Sequence, residues 1–420
     1  MASAEPTAPK PTPARLPTLA PIPLRTLTTL INYECLIRDP RYKSYSLHDI
    51  NLKADDPRIV SLRRNTFYHD PPVQQSSYIP PTFRAHPNRK TEAGDFSSAQ
   101  LEHVFYQSRW QNRSIILAQV FQQFFLACAE NQQVIVQIRN EQPKLVKACD
   151  VVLSHFHVSD LRQPHIENRV QQSQGSDTHN SYFTGHGEKF PKPVLVFPPP
   201  YTSVGPVGTP YNDDIFVVGM AHIEYGEMGL LGEPYFIGNG KQWQRSMTTK
   251  VCKKVFESNR QMLNTSNLSE RQNNIEGIKE CALKAMQRWT NREVPTFQWC
   301  EYCGVGGENL INCVECEKEG KIIRFCGAEH QEKAWEVHKF TCEGNKAKGL
   351  WTAGQCCEYC GVGGDLITCR KCEKKGKFVK YCSAKHGNKD WKLHQFTCEP
   401  GLWDTVKRLG ESLKPRARVG

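Results

Sequence analysis

Apolar positions along the chain follow two periods, and the first stretch they mark is helical. Leu101, Val104 and Phe105, then Leu117, Val120, Phe121, Phe124, Phe125 and Cys128, recur every three or four residues behind a Ser97-x-x-Gln100 capping box. That spacing predicts a helical stretch with its apolar face in the core. Val134-Ile135-Val136, Val194-Leu195-Val196-Phe197 and Ile215-Phe216-Val217-Val218 predict short buried strands. Lys144 to Phe156 fits helix or strand equally, whereas Gln163 to Lys189 is polar enough to predict a loop. Five prolines between Asp70 and Pro87 predict another loop. Helices are expected over Gln242 to Met262 and, after the capping pair Ser269/Gln272, through Ile275, Ile278, Leu283 and Met286 to Trp289. Residues 30–293 therefore read as an α+β domain of no recognised family.

The ends of the chain differ in kind. Pro6, Pro9, Pro11, Pro13, Pro17, Pro21 and Pro23 exclude a regular helix or central strand from residues 1–28 and favour polyproline II, so a disordered Pro-rich tail is expected there. Its apolar patch holds Pro17-x-Leu19-x-Pro21. Residues 404–420 read as a basic tail. No apolar span is long enough to cross a bilayer and the start of the chain has no signal-peptide core, so neither membrane insertion nor secretion is expected.

Cysteine usage narrows the chemistry. Of 18 cysteines, Cys35, Cys128, Cys149, Cys252 and Cys281 are scattered singly and Cys356 abuts the remaining 12. Those 12 fall, with four histidines, into two copies of one pattern. The first copy is Cys300-x2-Cys303-x9-Cys313-x2-Cys316-x9-Cys326-x3-His330-x7-His338-x3-Cys342. The second is Cys357-x2-Cys360-x8-Cys369-x2-Cys372-x9-Cys382-x3-His386-x7-His394-x3-Cys398. Eight soft or borderline ligands per copy suit two tetrahedral zinc sites, so four structural Zn²⁺ ions are expected. A disulfide framework would need an oxidising compartment, and single thiols beside a zinc array point instead to cytoplasm or nucleus.

The order of ligand pairs resembles the MYND-type zinc finger. An aromatic precedes the fifth ligand in both copies (Phe325, Tyr381), a Trp stands three before the last His (Trp335, Trp391), and Lys339 follows that His in the first. His330 and His386 stand where the family usually has Cys, and Ala334 and Asp390 where it often has His. The resemblance implies fingers at 299–343 and 356–399 in a cross-brace with alternating pairs on each metal. Cys300, Cys303, Cys326 and His330 would then share one zinc, and Cys313, Cys316, His338 and Cys342 the other. In the second finger the sets would be Cys357, Cys360, Cys382 and His386, then Cys369, Cys372, His394 and Cys398. It also implies a protein-interaction adaptor whose fingers dock proline-rich, Pro-x-Leu-x-Pro-like segments. Gln331 and Trp335 would line the groove of finger one; finger two keeps Trp391 but has Gly387 in place of the Gln. By the same resemblance Pro17 to Pro21 is a candidate self-ligand.

Two other readings stay open. The net charge of +11 hides a contrast between the fingers: 5 Lys/Arg against 8 Asp/Glu from Cys300 to Cys342 gives −3, and 9 against 4 from Cys357 to Cys398 gives +5. Nucleic acid could therefore use the stripe Arg370, Lys371, Lys374, Lys375, Lys377 and Lys380 on finger two. An enzyme could lie in the middle domain, where His155, His157 and Asp160, with His179, His186, His222 and Glu224, are candidate metal ligands. In a second family, lysine methyltransferases, a single MYND finger sits inside a SET domain. His179-Asn180-Ser181-Tyr182 matches that family's signature only superficially, and phosphate-binding glycine loops and a nucleophile elbow are missing from the sequence, so no enzyme is expected.

Overall fold

The computed structural model describes residues 19–39, 41, 45–51, 62–69, 98–111, 113–129, 132–138, 144–162, 165–171, 178–184, 190–198, 207, 215–230, 232–266, 268, 275–307, 309–339, 342, 357, 366–374 and 379–398. Ser97, the Ser269/Gln272 pair, His186, Cys360, Lys375, Lys377, Pro17 and the 404–420 tail lie outside these residues.

Structure begins earlier than the proline content suggests. Strand β1 (Ile22–Pro23) leads directly into helix α1 (Leu24–Ile37), so the expected tail boundary at residue 28 falls inside a helix. Pro23 occupies the N-cap of α1 with φ −60°, where a missing N–H costs nothing. Strands β2 (Tyr45–Asn51) and β3 (Leu62–His69) follow. The apolar run that begins near Leu101 is two helices, α2 (Ser98–Trp110) and α3 (Ser114–Ala127). They part at Gln111, whose buried amide donates to Tyr182 O at 2.8 Å instead of facing solvent along a continuous helix.

Next come β4 (Gln133–Val136) and β5 (Lys144–Lys147). They are followed by β6 (Val152–Leu161), β7 (His165–Gln171), β8 (His179–Thr184), β9 (Phe190–Phe197), β10 (Phe216–Gly219) and β11 (Phe236–Asn239). Helix α4 (Gly240–Ser246), strand β12 (Cys252–Met262) and helix α5 (Ile275–Thr290) complete the middle domain. Its strands form sheets in the orders β1-β4-β5, β2-β3-β7-β8 and β11-β10-β9-β6-β12.

Strands β9, β10 and β11 of the five-stranded sheet are buried on both faces, which is why Val194 to Phe197 reads as an unbroken apolar run. Leu195, Phe197, Phe216 and Val218 join the large core under α1, α3 and α5. Val194, Val196 and Val217 point the other way, to Trp243, Met247 and Phe156. Two sequence expectations fail here. The segment expected as a loop from Gln163 supplies β7 and β8, and β7 buries polar groups on both faces: Asn168 bonds Asn65 and Gln111, and on the other face Glu167 holds Arg64, Arg169 and Ser181. Asn168 stands between the buried Ile166 and Val170 and interrupts the apolar alternation that a hydropathy reading looks for. The helix expected over Gln242 to Met262 stops at Ser246, passes through a wide turn over Met247–Val251, and becomes β12. That strand exists because β6 lies alongside it, with Val255 opposite Val158 and Cys252 opposite Leu161. Tertiary pairing overrides local helical spacing.

Candidate metal centres

Finger one is assembled from short pieces that aim ligands inward. Backbone bonds from Gly304 N to Cys300 O and from Cys300 N to Val305 O, both 2.8 Å, close a tight knuckle that sets Cys300 and Cys303 side by side. Strand β13 (Ile311–Asn312) pairs antiparallel with β14 (Arg324–Phe325), and α6 (Val314–Lys318) rises from Cys313. Helix α7 (Ala328–His338) carries His330 and His338 two turns apart, so one helix serves both sites. Finger two repeats the plan with β15 (Ile367–Thr368), α8 (Arg370–Glu373), β16 (Lys380–Tyr381) and α9 (Ala384–Cys398).

The sulfurs and imidazoles converge in the alternating arrangement. Cys300, Cys303, Cys326 and His330 form one set; Cys313, Cys316, His338 and Cys342 a second; Cys369, Cys372, His394 and Cys398 a third. Cys357, Cys382 and His386 form the fourth, whose expected last member is Cys360. Within each set the ligand atoms lie within 4.8 Å of one another. Zn–S bonds of about 2.3 Å and Zn–N bonds of about 2.0–2.1 Å give tetrahedral edges of about 3.8 Å between sulfurs and about 3.5 Å between sulfur and nitrogen. Cys303–Cys326 at 3.8 Å, Cys313–Cys342 at 3.9 Å and Cys369–Cys398 at 3.6 Å match the first edge. Cys316 to His338 Nε2 at 3.5 Å and Cys372 to His394 Nε2 at 3.4 Å match the second. The donor sets therefore fit zinc. The copies agree even in ring nitrogen: His330 and His386 turn Nδ1 to the sulfurs, His338 and His394 Nε2. Burial works against charge on Cys300, but contacts from Cys303, Cys326 and His330 outweigh it and hold its thiol well below the usual range, as a ligand thiolate requires.

Finger one is part of the middle domain's packing. Tyr33 and Ile37 of α1 belong to the same apolar cluster as Cys300, Phe325 and Cys342. Gly304 sits at φ +80°, where a Cβ would come within 2.6 Å of the Tyr33 Cβ, so only glycine satisfies both the knuckle and the contact. Arg288 of α5 ties the junction together: it donates to Gly304 O at 2.6 Å, pairs with buried Glu34 at 3.2 Å, and stacks over Tyr33. Tyr302 donates to Gly232 O at 2.9 Å and Thr26 to Glu301 at 3.3 Å. None of these partners was marked by the sequence, because they lie far from the finger in the chain and none is a metal ligand. Finger two has its own small cluster around Cys357, Val379 and Tyr381, and its helix α9 lies beside α4.

The expected groove residues sit on the outer helices. Gln331 and Trp335 are half-buried on α7, and the Trp335 ring stands edge-on to His338 at 5.9 Å. Trp391 is 38% exposed on α9, packs on His394 in the same way, and has Lys371 over its ring at 5.4 Å. Leu19 is engaged elsewhere: its N–H donates to Gln132 Oε1 at 2.9 Å and its side chain packs on the large core. In the middle domain His157 stacks on Phe256 and Asp160 pairs with Lys254, while His222 is buried and His179 exposed. Among the described residues, these side chains do not gather into a ligand set. The sequence also gave no warning of a compensating pair in finger two, where Tyr381 donates to the buried Asp390 carboxylate at 2.7 Å.

The MYND finger family model matches residues 300–342 and 357–398. The chain thus carries two tandem MYND fingers, zinc-binding modules of protein–protein interaction. Neither a curated protein nor a solved structure matches it. Among the described residues, no helix is long and apolar enough to cross a membrane.

Proposed function

We propose that the protein is a non-enzymatic zinc adaptor that holds four Zn²⁺ ions and docks proline-rich, Pro-x-Leu-x-Pro-like segments of other proteins on finger one. The observation that carries this reading is the fixed stance of finger one. Its knuckle is wedged on α1 and α5 through Tyr33, Gly304 and Arg288, while Gln331 and Trp335 remain half-exposed on α7. A rigid aromatic platform meeting a preformed polyproline helix loses little conformational entropy on docking. The middle domain is then the base on which the finger is presented.

Zinc per chain, measured by elemental mass spectrometry on the purified full-length protein, should equal four. Titration of that protein with a synthetic Pro-x-Leu-x-Pro peptide, followed by tryptophan fluorescence, should saturate, and Gln331→Ala or Trp335→Ala should abolish it. Binding that survives both changes would remove finger one from the mechanism. A second reading rests on Arg370, Lys371 and Lys374, all exposed along α8. A nucleic-acid role predicts RNA or DNA affinity that falls steeply with salt and is lost on neutralising these three residues.

A further inference from the structure

A cleft of about 560 Å³ opens where the start of α1, the end of α5 and finger one meet. Neither Gln331 nor Trp335 lines it. Its walls carry the rings of Trp289, Trp299 and Tyr302, the two indoles 6.3 Å apart and inclined at 41°. Among the polar atoms of lining residues that lack a hydrogen-bond partner are Gln298 Oε1, on a residue 4% exposed, and Trp289 Nε1, on one 8% exposed. An acceptor and an N–H donor left unmade in an aromatic cleft are costly, and the group that satisfies both is a peptide backbone, which offers an N–H to the first and a carbonyl to the second. Aromatic walls with an indole donor suit polyproline II, whose rings stack and whose carbonyls stand free.

The chain contains such a segment close by. Pro6-Thr7-Ala8-Pro9-Lys10 places two prolines three residues apart, on one face of a polyproline helix, with a lysine immediately after. Pro23 and Leu24 are themselves part of the cleft wall, and the described chain begins four residues earlier at Leu19. Leu19 therefore lies about 13 Å of extended chain from the cleft, and the ten residues from Pro9 to Leu19 reach about 31 Å as polyproline II. We propose that the cleft between finger one and the middle domain is a second proline-segment site, and that Pro6 to Lys10 of this same chain is its resident occupant. The proposal rests on the proline-docking reading above but assigns a different site. A tether of this length holds its ligand at an effective concentration on the order of millimolar, so modest intrinsic affinity suffices to fill the cleft.

The test compares the full chain with a variant lacking residues 2–15, each titrated with a synthetic peptide of residues 2–15. The shortened chain should bind the peptide saturably and the full chain at least tenfold more weakly, since its own segment competes. Ile322→Glu changes a cleft residue that is 46% exposed and so leaves the fold intact; it should weaken binding to the shortened chain at least tenfold. Pro6→Ala/Pro9→Ala in the peptide should do the same, and Trp335→Ala should change nothing. Failure of the peptide to bind the shortened chain overturns the proposal, as does binding lost in Trp335→Ala but intact in Ile322→Glu. If Pro-x-Leu-x-Pro peptides still bind at Trp335 in that case, the adaptor reading stands alone; if no proline peptide binds anywhere, both fall.

Discussion

Finger one carries Phe325 and Ala334 where finger two carries Tyr381 and Asp390, and that exchange tracks a wider difference between the copies. In finger one the cluster is apolar and continues into α1 through Tyr33 and Ile37. In finger two the same two places hold a buried hydrogen-bonded pair, and among the described residues the apolar cluster is made of finger residues alone. Small metal domains bury too little apolar surface to fold without their ions. Finger one supplements its zinc sites with the core of a neighbour, whereas finger two relies on its own ligands and one polar pair. The lesson is that an identical ligand pattern does not fix how a finger is supported.

The most forceful way to break this contrast is to remove a ligand. Structural zinc contributes on the order of 10–16 kcal/mol to small zinc domains, so Cys303→Ser should cost finger one its zinc and also lower the unfolding temperature of the middle domain. Cys372→Ser should cost finger two its zinc and leave that temperature unchanged. Elemental analysis with calorimetry on both variants decides it, and equal effects on the domain would end the distinction. Arg288→Met should destabilise the domain by about 1–3 kcal/mol, because Glu34 then keeps only Arg38 and the Gly304 carbonyl loses its donor, and adding Glu34→Gln should recover part of the loss. Denaturant unfolding of the two variants reads the difference.

Gly304→Ala combines a left-handed backbone with a Cβ pressed on Tyr33, and about 2–4 kcal/mol is expected from the two terms together. Retained stability would mean that the knuckle tilts away from α1 freely. Within finger two, Tyr381→Phe and Asp390→Ala should each cost about 1–3 kcal/mol by leaving one partner unsatisfied. The double variant, which restores the Phe/Ala combination of finger one, should cost less than the sum. Zinc-release kinetics from the four proteins measure that coupling.

The parts of this molecule that the sequence reveals are those in which side-chain chemistry alone sets the spacing. The ligand residues follow from Cys and His spacing, their alternating sharing of metals from the resemblance to the MYND finger, and the runs at Val194 and Ile215 announce strands buried on both faces. Strand β7 stays hidden because buried Asn168 and Glu167, on its two faces, are satisfied by hydrogen bonds and break the apolar alternation of Ile166 and Val170. Strand β12 is disguised because its helical spacing yields to pairing with β6. The junction is the least legible feature. Cys-Gly-Val-Gly follows the knuckle in both fingers, and nothing local says that Gly304 meets a tyrosine of the first helix.

The junction also has a consequence for synthesis. Thr26 is bonded to Glu301, 275 residues later in the chain. At about 5–20 residues per second, a ribosome needs roughly 15–55 s to deliver the finger after the helix that receives it. During that interval the Tyr33 face of α1 has no cover of its own, and Arg288, which completes the seal, emerges only shortly before the finger. The nascent chain therefore carries an apolar surface whose closure waits on both late translation and metal capture, and zinc supply becomes a factor in whether α1 is ever sheltered.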